Sequence, residues 1–147
     1  MWSTKAWPSK RCGRESTVGN LFMRSIETPL APKPAGHYSQ GIVHGGLLYI
    51  AGQLPIDPAT GAQIHGSIEE QTQCVLANVD GVLKGAGSSR DRVLKVTVYV
   101  TDISLWPRVN AVYAQFFGTH KPARAVVPTP PLHHGFLIEI EAVAAAE

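Results

Sequence analysis

Apolar and polar positions alternate over short stretches through most of the chain, and two longer stretches carry a helical period instead. Gly41 to His44 and Leu47 to Gln53 are apolar-rich runs separated by Gly45-Gly46. That glycine pair predicts a tight hairpin, because such turns need positive φ. Pro55-Ile56-Asp57-Pro58 with Thr60-Gly61 reads as a loop. Ser67 opens the strongest helix: it can cap, and Glu70 three residues on completes a capping box. Ile68, Val75, Val79, Val82 and Ala86 stack on one face, with Leu76 and Leu83 beside them, before Gly85 and Gly87 stop the pattern. Arg92 to Thr101 alternates, with Leu94, Val96, Val98 and Val100 on one side and Lys95, Thr97, Tyr99 and Thr101 on the other. It predicts a strand packed on one face. From Leu105 to Phe117, Val109, Val112 and Phe116 recur at helical spacing, Tyr113 and Phe117 adjoin them, and Pro107 fits only the first turn. Ala123 to Val127 and Phe136 to Ala144 close the chain as strands.

The order strand, strand, helix, strand, helix, strand, strand is satisfied most economically by an α+β domain, a sheet with both helices on one face. The other face then carries Thr97, Tyr99, Glu139 and Glu141 and must meet solvent or another subunit. Association into a closed ring is the expectation for so small a domain.

Composition narrows the class. A chain of 147 residues has room for one domain and buries a core without disulfides. Two cysteines, Cys12 and Cys74, exclude a disulfide framework and a thiolate zinc site. No apolar run approaches the ~20 residues that span a bilayer, so no membrane partner is expected. Residues 1–24 hold five basic groups against Glu15 alone, whereas the rest holds eight basic and ten acidic groups. The basic pI therefore belongs to the first segment, and the slightly acidic body makes nucleic acid an unlikely partner. Residues 1–24 lack any helical or strand period. They are set aside as a disordered tail or as sequence ahead of a start at Met23, with an organelle transit peptide as the functional alternative. Residues 25–147 form the single domain, with a cytoplasmic location expected.

Few residues stand out for chemistry. Arg124 lies in a short apolar strand; it is either a strand-end arginine in solvent or an ion pair, or an anchor for a carboxylate, to which guanidinium offers two parallel donors. Glu139 and Glu141 flank Ile140 and emerge on one side of their strand, either as a solvated face or, in a cleft, as groups able to orient or deprotonate water. The six histidines, His37, His44, His65, His120, His133 and His134, make no helix-borne metal pair and read as surface or loop residues. His133 and His134 would point apart in extended chain. Cys74 reads as a small, partly buried thiol. The sequence contains no phosphate loop, dinucleotide fingerprint or nucleophile elbow, so any chemistry is expected to proceed without a bound cofactor and without a metal.

Gly36-His37-Tyr38-Ser39-Gln40, Ala51-Gly52-Gln53-Leu54-Pro55, Val109-Asn110-Ala111-Val112-Tyr113, Pro122-Ala123-Arg124 and Ile138-Glu139-Ile140-Glu141-Ala142 together resemble the YjgF/RidA family of reactive-intermediate deaminases. The resemblance runs from about residue 26 to the C-terminus. It implies a chorismate-mutase-like α+β fold, a mixed sheet with two helices on one face, and a homotrimeric barrel with sites between subunits. It also implies cofactor-free hydrolysis of enamine/imine substrates of the 2-aminoacrylate/2-iminopropionate type to a 2-oxo acid and ammonia. Position by position, Arg124 matches the carboxylate-gripping arginine and Glu139 the glutamate that holds the attacking water. Tyr38, Gly52 and Asn110 match substrate-binding positions.

The chain departs from that pattern at Ala51, where a serine is usual, at Val126, where a cysteine is frequent, and at Val127-Pro128-Thr129-Pro130-Pro131-Leu132. Three prolines remove three amide donors, which predicts a rigid loop over the cleft rather than a central strand. In the expected mechanism, Arg124 and Glu139 stand on strands that adjoin, the first fixing the substrate carboxylate and the second activating water. Two alternatives stay open: a regulatory or chaperone-like protein that binds 2-oxo acids without turnover, and RNA cleavage or translation inhibition.

Overall fold

The computed structural model describes residues 22–147. The expectations for residues 1–21 lie outside the described residues. Six strands, β1 (Arg24–Ile26), β2 (Gly41–His44), β3 (Leu47–Gln53), β4 (Val93–Val100), β5 (Ala123–Pro128) and β6 (Ile138–Ala145), form one sheet in the order β1-β2-β3-β6-β4-β5. Only β4 and β5 run parallel, so the sheet is mixed. Two helices, α1 (Ile68–Gly85) and α2 (Trp106–Phe117), pack on each other, and α1 packs on β3 and β6.

Each element follows from its local chemistry. Gly45 and Gly46 take φ of 60° and 77° and turn β2 into β3. Both halves of the capping box form at α1: the Ser67 hydroxyl accepts from the Glu70 amide, and the Glu70 carboxylate accepts from the Ser67 amide at 2.7 Å. Val75, Leu76, Val79, Val82 and Leu83 bury the inner face of α1 against Leu48, Val96, Val98, Ile138 and Ile140 in one core. Burying side chains of this size contributes about 1.5–3 kcal/mol each. Pro107 stands in the first turn of α2, and Gly118, at φ 61°, ends it.

Three expectations are corrected. Leu94 is not in the core: the pairing of β4 with β6 shifts register between Val93 and Lys95, so Val93 takes the buried place and Leu94 is 48% exposed. The segment set aside as residues 1–24 overlaps the domain at its last residue, since Arg24 begins β1 opposite Val43. The proline-rich stretch begins as strand, with Pro128 opposite Val100 and the Thr129 amide donating to the Val100 carbonyl at 2.9 Å. It is tolerated because β5 is an edge strand, where a missing donor breaks no second ladder.

Candidate active site

Parallel pairing sets Arg124 opposite Val96, whose side chain is buried beneath the helices. Arg124 therefore emerges on the helix side, toward α2. Its guanidinium lies 4.5 Å from the Trp106 ring centroid and 4.8 Å from that of Tyr113, and Nη1 donates to Asn110 Oδ1 at 3.0 Å. Trp106, Asn110 and Tyr113 recur three and four residues apart along α2 and so present one face to the arginine. Among the described residues no carboxylate lies within ion-pair distance of Arg124. The fork is thus oriented but not neutralised. It opens on a cavity of about 330 Å³ that also meets Phe117, His120 and Lys121. The buried Tyr113 hydroxyl has no hydrogen-bond partner there. Burial pushes the phenol up, and the nearby Arg124 guanidinium partly opposes this.

Glu139 is built on the other side. It pairs with Tyr99, and the alternation that buries Ile138 and Ile140 beneath the helices turns Glu139 and Glu141 to the opposite face. The Tyr99 hydroxyl donates to the Glu141 carboxylate at 3.0 Å, whereas Glu139 crosses Gly52. Between Ile50 and Gln53 the pairing of β3 with β6 is irregular, and this opens the sheet beside that glycine. Burial raises the Glu139 pKa; the charge of nearby His133 lowers it and that of Glu141 adds to the rise. A cleft of about 550 Å³ is lined by Lys33, Tyr38, Gly52, His133, His134 and Glu139 among others.

Buried amides hold the cleft walls. Gln40, 2% exposed, accepts from the Thr28 amide at 2.7 Å, and its nitrogen lies within 3.0 Å of the carbonyls of Thr28, Ala31 and Pro32. Asn78 donates to the carbonyls of Leu54 and Ile56, and Gln71 accepts from the Leu137 amide at 2.9 Å.

The structure thus brings together Tyr38, Gly52 and Glu139, and separately Arg124 and Asn110. It does not bring the two groups together within one chain. The expectation that the strands of Arg124 and Glu139 adjoin is corrected: β4 lies between β5 and β6, and the two side chains project from opposite faces. Nor does the proline stretch line the cleft; the residues that do so come just after it. His133 and His134 do not point apart in extended chain. They occupy a short 3-10 turn, His133–Gly135, with ring centroids 6.3 Å apart, and both line the Glu139 cleft. The Pro130-Pro131 pair before them and Gly135 after them were the sequence signal for a turn. The remaining histidines do lie at the surface or in loops, except that His120 is partly buried and donates to the Val93 carbonyl at 2.7 Å. Among the described residues no group of three or more His, Cys, Asp or Glu is placed to hold a metal, and no helix is long and apolar enough to cross a membrane.

Comparison with known proteins covers nearly all of this architecture. The profile of a family described as endoribonuclease L-PSP matches residues 28–146. A RutC family protein of Pyrococcus horikoshii is 50% identical over 122 residues, spanning 83% of this chain and 97% of the relative. The 2-iminobutanoate/2-iminopropanoate deaminase of Homo sapiens is 39% identical over 127 residues, spanning 86% and 93%. Among solved structures, YyfA of Yersinia pestis, from the conserved Rid protein family, superposes with a TM-score of 0.82 at 44% identity, covering 85% of this chain and 100% of that one. Escherichia coli TdcF with bound serine gives 0.80 at 35% identity, covering 84% and 99%.

Proposed function

The chain belongs to the endoribonuclease L-PSP family, the YjgF/RidA group, and from that premise we propose that it is a cofactor-free imine deaminase whose site forms between protomers of a homotrimer. The observation that carries this reading is the division of the candidate residues into two incomplete halves on opposite faces of the sheet. One half offers an uncompensated guanidinium, and the other a carboxylate with a raised pKa beside an open cleft. A head-to-tail contact sets one protomer's Arg124 against the next protomer's Glu139, and such contacts close into a ring. The bare Tyr99 and Glu141 face of the sheet is then turned toward the ring.

In that site Arg124, held by Asn110, grips the substrate carboxylate with two parallel donors. Gly52 leaves room for Glu139 over the backbone, and Tyr38 closes the side of the cleft. Glu139 takes a proton from water as oxygen bonds to the C=N carbon and passes it to nitrogen; the resulting carbinolamine then loses ammonia to leave the 2-oxo acid. Holding the small substrate at one end converts an encounter into an oriented reaction. Similarity to the human 2-iminobutanoate/2-iminopropanoate deaminase supports the substrate class. Serine in the TdcF structure favours a second reading, amino-acid or 2-oxo-acid binding without turnover.

Subunit mixing tests the proposal. 2-Iminopropanoate is generated in situ by a serine dehydratase and its decay to pyruvate and ammonia is followed. Wild type accelerates decay beyond buffer, while Arg124→Ala and Glu139→Gln alone are strongly impaired. Coexpression of the two variants restores one complete site in each mixed trimer, roughly a quarter of wild-type activity for random mixing. Binding of 2-oxobutyrate with no turnover supports the second reading. Mixtures no better than the separate variants reject a shared site.

A further inference from the structure

The Glu139 cleft holds more acid–base chemistry than a single carboxylate. His133 stands on its wall, close enough for its charge to act on Glu139; its carbonyl accepts from the Phe136 amide, and its ring makes no hydrogen bond among the described residues. The turn that carries it is built at some conformational expense. His134 adopts φ 56°, ψ 16°, a left-handed conformation unusual for a residue with a side chain, and Gly135 follows at φ 73°. Packing holds this conformation in place. The His134 ring meets Phe136 edge-on at 5.7 Å, Phe136 is 1% exposed, and His65 stacks on its other side at 5.1 Å. The Gln71 side chain accepts from the Leu137 amide immediately after. His134 is therefore committed to the turn, whereas His133 is displayed.

We propose that His133 is a second acid–base residue of this site, donating the proton with which the leaving nitrogen departs. The inference rests on the imine-deaminase reading above. Hydrolysis makes two opposed demands, since water must lose a proton while the amine must gain one before the C–N bond breaks. A lone carboxylate has to serve both in turn. With His133 in the same cleft, Glu139 takes the proton of the attacking water and returns it to nitrogen as the carbinolamine forms. His133, in its cationic form, then gives that nitrogen a further proton. The C–N bond breaks, its electron pair leaves with nitrogen as ammonia, and the hydroxyl proton passes to Glu139 as the carbonyl forms. The proton on Glu139 returns to His133 directly or through solvent, and water has been added and ammonia lost with no other reactant. Histidine suits the task because it exchanges protons near neutral pH. The charged and titratable groups that share its cleft are Glu139 on β6, Lys33 and Tyr38 on the loop between β1 and β2 and His134 beside it; Glu141, bonded to Tyr99, acts on Glu139, and His65 stacks on Phe136.

The test is the pH dependence of turnover for wild type, His133→Gln and the exposed surface control His44→Gln, with buffer decay subtracted at each pH. Wild type and His44→Gln lose activity at both acid and alkaline ends. His133→Gln falls by about 100-fold, loses the alkaline limb, and regains activity when imidazole is added. A His133→Gln enzyme within twofold of wild type, or a slower one that keeps the alkaline limb and ignores imidazole, overturns the assignment. If wild type itself does not accelerate imine decay, or Arg124→Ala and Glu139→Gln are unimpaired, the deaminase reading has failed instead, and the two failures are distinguishable.

Discussion

Glu139 lies across Gly52, its carboxylate occupying the space where a side chain at residue 52 would begin. The glycine is required here for proximity and not for an unusual backbone angle. Gly52→Ala therefore leaves a backbone that alanine accepts and evicts the end of a flexible side chain. The expected outcome is a loss of turnover of at least ~10-fold, because a proton acceptor must lie within hydrogen-bond reach of its water. The melting temperature falls only slightly, since overpacking that a surface chain can relieve costs about 1 kcal/mol. Equal losses of folded protein and of activity would disprove the reading.

Much of this arrangement was legible in the sequence. The capping box of Ser67 and Glu70, the Gly45-Gly46 hairpin and the inner face of α1 all form where local chemistry put them. Tyr38, Gly52 and Glu139 do share a cleft. What failed was long-range. No local pattern states that β4 takes the place between β5 and β6, and that order, with the opposite facing of the two side chains, separates Glu139 from Arg124. Alternation predicted the wrong residue at Leu94, because a register shift in one strand is decided by its partner. The turn at His133 and His134 carries a local signal in Pro130-Pro131 and Gly135, but Gln71, whose side chain holds it at Leu137 from 66 residues away, is marked by nothing local.

Burial holds the Glu139 pKa above the ordinary carboxylate value, against the opposing influence of His133. The native chain then binds more protons than the unfolded chain between those two values, so stability falls as pH rises through that window. At neutral pH the ionised group is a burden on the fold. Glu139→Gln is expected to melt higher than wild type at pH 7 and to lose that advantage as pH drops below the usual glutamate value of about 4.3. Turnover moves the other way, with the acid limb of wild-type kcat/KM lying above the usual carboxylate range. A variant less stable than wild type at neutral pH would contradict this account.

Asn110 fixes Arg124 without neutralising it. Replacing the amide by a carboxylate keeps the geometry and fills the fork. Asn110→Asp is therefore expected to raise KM for 2-iminopropanoate by about 10-fold or more, since an internal ion pair competes with the substrate carboxylate. Stability stays within about 1 kcal/mol of wild type, as for other exposed pairs. Asn110→Ala loosens the arginine and raises KM less. Isothermal titration with a 2-oxo acid reads the binding term alone, and tighter binding by Asn110→Asp would exclude the carboxylate-anchor role.

Gln40 ties the site to the stability of the fold. Its side chain satisfies four backbone groups of the 28–32 segment, all from a position removed from solvent. Gln40→Ala leaves those groups unpaired, at a cost of about 1–3 kcal/mol for the buried ones. Pro32 and Lys33 line the cleft, so the same change is expected to slow turnover in the molecules that remain folded. Asp80→Ala provides the contrast. Asp80 accepts from Arg90 and pairs with Lys84, and it lines neither the Glu139 cleft nor the Arg124 cavity. Losing those charge-assisted bonds costs a similar amount, about 1.5–3 kcal/mol, yet activity per folded molecule is expected to stay at the wild-type level. Thermal melts paired with active-site titration separate the two cases. Equal activity per folded molecule in both variants would show that the 28–32 segment only stabilises the domain and does not shape the cleft.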